Sequence, residues 1–210
     1  MSDKISAIIT SGGSSTRFGA NKLLEKIDDL SVIEVTVSKF IDLVDEIIIP
    51  TKEDIKEHLL KSKFYCNKIC FAQAGSTRQE SVYNGLLACN NPQYVLIHDG
   101  ARPFIDCETI KKTIELVKEK RAVVVGVMAT DTIKRVKDGK IIETIDRNEI
   151  FQAQTPQAFD YQLIKKANEN VENIENLTDD SSIAQKYGID VHYLIGSTLN
   201  KKITTKEDLY

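Results

Sequence analysis

Short apolar runs at 5–9, 46–49, 69–72, 94–97 and 122–128 punctuate the chain; they are rich in β-branched residues and mostly lack polar alternation. That is the pattern of strands buried on both faces of a parallel sheet. Between them, apolar positions recur at helical spacing. Val32, Val35, Phe40, Ile41 and Leu43 form one face, Ile55, Leu59 and Leu60 a second, residues 81–89 carry a third, and Ile110, Ile114 and Val117 a fourth. Further on, 161–170 and 181–187 read as helices and 191–195 as a strand. Strand and helix in alternation predict an α/β fold, a mostly parallel sheet with helices on both faces. Ligands of such sheets bind outside the carboxyl ends of the strands.

The alternation breaks after residue 130. Residues 132–136 and 141–145 read as two β stretches joined by the Asp138-Gly139 turn, a strong hairpin signal. A two-stranded ribbon is marginal in water, so this protruding β-arm, 131–147, is expected to pack on a neighbouring subunit and make a homodimer. Otherwise the 210 residues suit a single domain, 1–210, with no repeat or linker.

Charge narrows the partners. With 28 basic and 31 acidic side chains the formal net charge is −3, which gives no bulk attraction for nucleic acid or an anionic membrane; any phosphate must be held by a local cluster. No apolar run reaches membrane-span length and no cleavable apolar segment precedes the first strand, so a cytoplasmic protein is expected. Cys66, Cys70, Cys89 and Cys107 lack paired C-x-x-C spacing and read as reduced, mostly structural thiols.

One local cluster follows the first strand: small residues including Ser11, Gly12 and Gly13 lead to the cations Arg17 and Lys22. Small side chains let backbone N–H groups face a phosphate, and the cations supply charge. The stretch has neither a Walker A ending nor G-x-G-x-x-G spacing, and taken alone it also fits an ordinary turn leaving a strand. At 98–103, His-Asp-Gly-Ala-Arg-Pro places Asp99 at the end of a buried strand, where it could ligate magnesium on a bound triphosphate or simply cap a turn with Arg102 as its partner. At 75–82, Ser76 and Thr77 are good N-cap types, and Glu80 completes a capping-box pattern with Thr77. Free N–H donors at the same helix start could also meet a base or phosphate. Residues 147–157 are dense in polar groups; Arg147 could take a phosphate bidentately, or the stretch could be a solvated arm. Residues 200–204 put lysine at the start of a late extended segment. His58, His98 and His192 are dispersed, and no Ser-His-Asp arrangement follows from their positions.

In order, the cradle with Arg17 and Lys22, G-S-T-R-Q-E-S-V at 75–82, H-D-G-A-R-P at 98–103, D-T-I-K-R at 131–135, R-N-E-I-F-Q-A-Q-T-P-Q-A-F at 147–159, T-D-D-S-S at 178–182 and N-K-K-I-T at 200–204 resemble the 2-C-methyl-D-erythritol 4-phosphate cytidylyltransferases. The resemblance implies a Rossmann-like nucleotidyltransferase fold joining CTP to methylerythritol phosphate with release of pyrophosphate. It implies that Arg17, Lys22 and Lys202 stabilise transition-state charge and that Asp99 assists Mg²⁺ or another divalent cation. Ser11, Gly12, Gly13, Gly75, Ser76, Ser81, Asp99 and Gly100 would hold the nucleotide. Thr132 and Arg147 match residues that bind the polyol phosphate in the neighbouring subunit, with Arg102 and Thr155 in the same set. The chain departs from the family pattern at Ser15, at Asn21 where no proline precedes Lys22, and at Leu23; its end at Tyr210 implies a short or absent terminal helix. Two alternatives share some of these signals. A ribitol 5-phosphate cytidylyltransferase shares most motifs, although H-D-G-A-R-P and the compact length favour methylerythritol phosphate. A non-catalytic dinucleotide-binding module would want an acidic residue closing the second strand, where this chain has Pro50-Thr51-Lys52.

Overall fold

The computed structural model describes residues 3–12, 21–170, 172 and 177–209. The buried apolar runs become the strands β1 (Ile5–Thr10), β4 (Glu46–Thr51), β5 (Ile69–Gln73), β6 (Tyr94–Asp99) and β7 (Ala122–Met128). Two short strands, β2 (Lys26–Ile27) and β3 (Leu30–Ser31), form a small ribbon that the hydrophobic pattern did not reveal. Intervening helices are α1 (Val32–Phe40), α2 (Glu53–Leu60), α3 (Arg78–Ala88) and α4 (Cys107–Lys120). The seven-stranded sheet runs β11-β7-β10-β6-β1-β4-β5, with β11 at His192–Ile195 and β10 at Phe151–Asp160. Strand β1 pairs in parallel with both β4 and β6. Chain order therefore reverses at β1, and a crevice opens at the carboxyl ends of β1 and β6.

Alternate residues of β1 serve opposite faces, as the pleat requires. Ile5, Ala7 and Ile9 belong to one core cluster with Val37 and Phe40 of α1 and Ile110 and Val117 of α4. Ile8 joins Val82 and Leu86 of α3, Phe159 of β10 and Ile183 of α6 (Asp180–Lys186) on the other. Helix α1 buries Val32, Ile33, Thr36, Val37 and Phe40. The predicted face therefore turns: Val35 is only half-buried, and Ile41 and Leu43 lie in the turn beyond the helix. Ser31 starts α1 through a full capping box with Glu34. Leu60 of α2 is exposed.

The largest departure from the sequence-based expectation is β10. Residues read as a polar anion-binding stretch or solvated arm are instead a strand at the heart of the sheet, antiparallel to both β6 and β7. Its polar residues Gln154, Thr155 and Gln157 are buried. They bond to neighbouring elements: Gln157 Nε2 donates to Asp179 at 2.7 Å, and its Oε1 accepts from the Ser181 N–H at 2.9 Å. Pro156, unfavourable inside a ladder, falls within the register shift between Ala153 and Gln157. Immediately before it in the chain, β8 (Ile133–Lys137) and β9 (Lys140–Ile145) form the separate ribbon predicted for the arm, closed by Asp138 and Gly139 with φ of 49° and 74°. A side chain is strained in that left-handed backbone, which is why Asp-Gly marks the turn. Helix α5 (Tyr161–Asn170) has the predicted bounds, and the last described residues form a 3-10 turn, Lys206–Leu209.

All four cysteines are free; Cys89 is buried, whereas Cys70 and Cys107 are exposed. Among the described residues no helix is long and apolar enough to cross a membrane. Phe159 is fully buried between β10 and the α3–α6 layer, so Phe159→Ala should lower the unfolding free energy by ~3–5 kcal/mol in urea titrations. A loss under ~1 kcal/mol would contradict this placement.

Candidate active site

At the crevice, the Ser11 N–H and hydroxyl both donate to the Pro50 carbonyl, at 3.2 and 3.0 Å, turning the chain over β4 as it leaves β1. The Gly100 N–H donates to the Thr10 carbonyl at 2.9 Å. A Cβ on residue 100 would lie 2.8 Å from that oxygen, so glycine is what lets the end of β6 touch the end of β1. The resulting cleft, of about 450 Å³, gathers the predicted Ser11, Gly12, Lys22, Gly75, Ser76, Ser81, Asp99, Gly100 and Lys202. Its walls also carry Lys52 and Arg78, which sequence reasoning missed. Lys52 stands just past the end of β4 and Arg78 opens α3, two positions that the rule of strand carboxyl ends could have marked. In an acidic chain, the described lining holds four cations, Lys22, Lys52, Arg78 and Lys202, against one carboxylate, Asp99.

Asp99 is the hub. Its Oδ1 accepts from Arg78 Nε at 3.0 Å; its Oδ2 faces Lys202 Nζ at 2.8 Å and Arg102 Nε at 3.7 Å. Burial alone would raise this carboxyl, but the charges of Arg78, Lys202 and Arg102 prevail and hold it well below the usual carboxylate range. Arg78 also reaches Asp180 Oδ2 through Nη2 at 2.8 Å. Asp180 is fully buried at the start of α6, and burial pushes its carboxyl up against the pull of Arg78. The T-D-D-S-S stretch thus enters the site through an arginine. Lys22 Nζ donates to the Ile203 carbonyl at 2.8 Å, and the Ile203 N–H donates to the Ala101 carbonyl, which brings the two predicted catalytic lysines to one rim. Residues 200–204 are irregular rather than extended.

Behind the hub lies a buried relay. His98 Nε2 is 3.1 Å from the Arg102 carbonyl, which can only accept, so that nitrogen carries the proton. Nδ1 then accepts from the Thr155 hydroxyl at 3.0 Å, and Thr155 Oγ1 accepts from the Asp99 N–H at 3.1 Å. Burial first, and the charges of Arg102 and Arg78 after it, push His98 down to about 4, against the pull of its Arg102 carbonyl bond and the Asp99 charge, so the ring is neutral. The predicted substrate residue Thr155 is thus only 4% exposed, with its hydroxyl engaged on both sides, and it does not line the cleft. Arg102 is likewise set back, its Nη1 donating to the Asn200 carbonyl at 2.8 Å.

Other expectations divide. Thr132 and Arg147 are exposed at the arm, outside the cleft, with Arg147 Nη1 donating to the Thr130 carbonyl at 2.7 Å. Gly13 and Arg17 lie outside the described residues. The N–H donors expected of Gly75 and Ser76 are already used: Gly75 N–H bonds Ser81 Oγ at 2.9 Å, and Ser76 N–H and hydroxyl both bond Glu80 at 2.6 Å. Thr77 is the N-cap, as predicted, but Glu80 reaches past it to Ser76. For a metal, Asp99 offers an ionised acceptor on the cleft wall. Among the described residues no group of three or more His, Cys, Asp or Glu could hold an ion. This donor set suits Mg²⁺, which commonly takes one or two carboxylates and completes its shell with substrate phosphates and water.

The family model described as "IspD: 2-C-methyl-D-erythritol 4-phosphate cytidylyltransferase" matches residues 5–210. A relative of that name from Clostridioides difficile is 42% identical, covering 97% of this chain and 90% of the relative. One from Clostridium botulinum is 39% identical over 98% and 96%. Among solved structures, the 4-diphosphocytidyl-2C-methyl-D-erythritol synthase from Anaerococcus prevotii superposes with a TM-score of 0.85 at 33% identity, covering 99% of this chain and 95% of that one.

The relay has a measurable pH signature. Between the folded value of about 4 and the ordinary imidazole value of 6.5, the unfolded chain binds a proton at His98 that the folded chain excludes. The stabilisation is therefore fully present above pH ~6.5 and is lost as pH falls toward 4, by roughly 3 kcal/mol in total. Urea unfolding at pH 7 and 4.5 should show this decline in the wild type and a smaller one in His98→Gln. A wild-type stability that is flat over the interval would contradict a buried neutral imidazole.

Proposed function

The chain belongs to the 2-C-methyl-D-erythritol 4-phosphate cytidylyltransferase family, and from that premise we propose how its cleft does the family's chemistry. The reaction transfers the cytidylyl group of CTP to 2-C-methyl-D-erythritol 4-phosphate and releases pyrophosphate, a step of isoprenoid biosynthesis by the non-mevalonate route. The observation that carries the assignment of the site is the cationic cleft at the β1–β6 switch point, with Lys22 and Lys202 on one rim and Asp99 beneath.

A phosphate monoester loses its second proton near pH ~6. Its dianionic oxygen can attack the α-phosphorus of CTP without a general base, which agrees with a site whose one buried histidine is neutral and spent on its relay. What remains for the protein is to align two anions and meet the charge that grows on the α-phosphoryl oxygens and the leaving pyrophosphate. Lys22 and Lys202 fill that role, and the same role is assigned to Arg17. Ser11, Gly12, Gly75, Ser76, Ser81 and Gly100 shape the nucleotide pocket, and Gly13 is assigned to the same ligand. Asp99 would hold a Mg²⁺ ion together with the triphosphate, and the bound ion would offset phosphate charge.

The polyol phosphate is assigned to Thr132 and Arg147 supplied by the arm of a second copy, with Arg102 and Thr155 acting from behind the cleft. Support for a homodimer comes from the ribbon, a hairpin outside the main sheet: Val136 and its cross-strand partner Ile141 are 68 and 67% exposed on one face, and Ile142 is 56% exposed on the other, large apolar side chains that a partner would cover. A cytoplasmic location goes with this reading, since both substrates are charged and cannot cross a bilayer unaided.

Pyrophosphate release should require CTP, a divalent cation and methylerythritol phosphate; turnover with ribitol 5-phosphate alone would overturn the substrate. Lys22→Ala and Lys202→Ala should each lower kcat by ~10²-fold or more, and full activity in both would remove the charge clamp from the mechanism. Arg147→Ala should be inactive alone yet regain activity when its subunits exchange with Lys22→Ala subunits, because a hybrid dimer keeps one intact site. Verified exchange with no recovery would argue against a site shared between copies.

A further inference from the structure

Arg78 divides its guanidinium edge between two carboxylates. Its Nε lies 3.0 Å from Asp99 Oδ1 and its Nη2 lies 2.8 Å from Asp180 Oδ2. Those two nitrogens are the ones that close side-on upon a single carboxylate in a bidentate pair. Asp180 is fully buried, and its other oxygen, like Arg78 Nη1, has no hydrogen-bond partner. A neutral side chain would open α6 as well, since the capping of that helix is done by Asp179, which accepts from the Ser182 N–H at 3.0 Å. The burial of Asp180 thus serves Arg78.

We propose that Asp180 is a positioning residue that draws half of the Arg78 edge away from Asp99, so that Asp99 Oδ1 carries one arginine bond instead of belonging to a side-on clamp and can still meet a divalent cation on bound CTP. The placement of Asp180 is firm: α6 is tied to β10 by Gln157, which bonds both Asp179 and the Ser181 N–H. Without the Asp180 charge, Nη2 meets at most a neutral acceptor there, its hold is weaker, and the guanidinium turns toward the Asp99 carboxylate with both nitrogens. Arg78 then competes directly with the cation. Closing side-on also sets Nη2 against Oδ2, so it crowds Lys202 and Arg102 on that oxygen as well. The inference rests on the nucleotide reading of the cleft.

Calorimetric CTP binding, measured in chelator and in saturating Mg²⁺ without polyol phosphate, tests it through the ratio of the two affinities. Asp180→Asn should shrink that ratio by about tenfold while leaving metal-free binding of CTP equal to or tighter than wild type. Arg78→Met/Asp180→Asn, in which both charges are gone, should return the ratio to the wild-type value or above it. A general packing defect does not reverse in this way, and the double variant decides the matter if the single one does not fold. An unchanged ratio in Asp180→Asn, or a ratio below wild type in the double variant, overturns the inference while the nucleotide reading stands. Failure of the unmodified protein to bind CTP sinks both.

Discussion

A carboxylate that is nearly out of water must be matched by cations, and Asp99 meets that demand with Arg78, Lys202 and Arg102 drawn from three separate parts of the chain. Removing one partner of a buried pair commonly costs about 3–5 kcal/mol, so these side chains are not free to drift. The same requirement explains why the cleft is basic in an acidic protein. The cations compensate one buried charge and, in doing so, stand where a triphosphate would lie. Their excess over Asp99 is what makes the cleft attractive to anions.

The sheet supplies the geometry. Because β1 is flanked by β4 on one side and β6 on the other, the turns after β1, β4 and β6 converge, and Lys52, Ser11 and Asp99 face one space. Strand β10 then backs the site from behind. It lies beside β6 in the sheet, and Thr155 within it fixes both the Asp99 backbone and the His98 ring. It also follows the arm directly in the chain. One strand therefore leads from the foot of the β-ribbon to the layer behind the cleft.

Much of this was legible in the sequence, for identifiable reasons. Strands buried on both faces advertise themselves as β-branched runs, and the Asp138-Gly139 turn announces its hairpin because few residues tolerate that backbone. Strand β10 hid because its buried positions are Gln154, Thr155 and Gln157, whose burial depends on partners far away in sequence. The face of α1 differs from the expected one because Val35 and Ile33 are equally apolar, and only packing on the sheet, in the cluster of Ile9, Val37 and Phe40, decides that Ile33 turns inward. In the site, the motifs pointed to Asp99, Lys22 and Lys202 as a set. They did not reveal Arg78 as the bridge to Asp180, because two residues about a hundred positions apart carry no local mark of contact. Thr155 was read as a contact for substrate; its hydroxyl is instead committed inward, a distinction that only three dimensions make.

The bond from Lys22 to the Ile203 carbonyl spans 181 positions of chain. Seen from the ribosome, the cleft is among the last things to exist. The parallel core around β1, β4 and β6 can assemble while synthesis continues, but the rim lysines meet only after residue 203 has cleared the exit tunnel. A nascent chain short of Ile203 therefore lacks the rim and also one fully buried member of the core cluster around Ile9, Val37 and Phe40. Contacts this distant in sequence close slowly, and because Ile203 is at once core residue and anchor of Lys22, completing the core and closing the clamp are one late event.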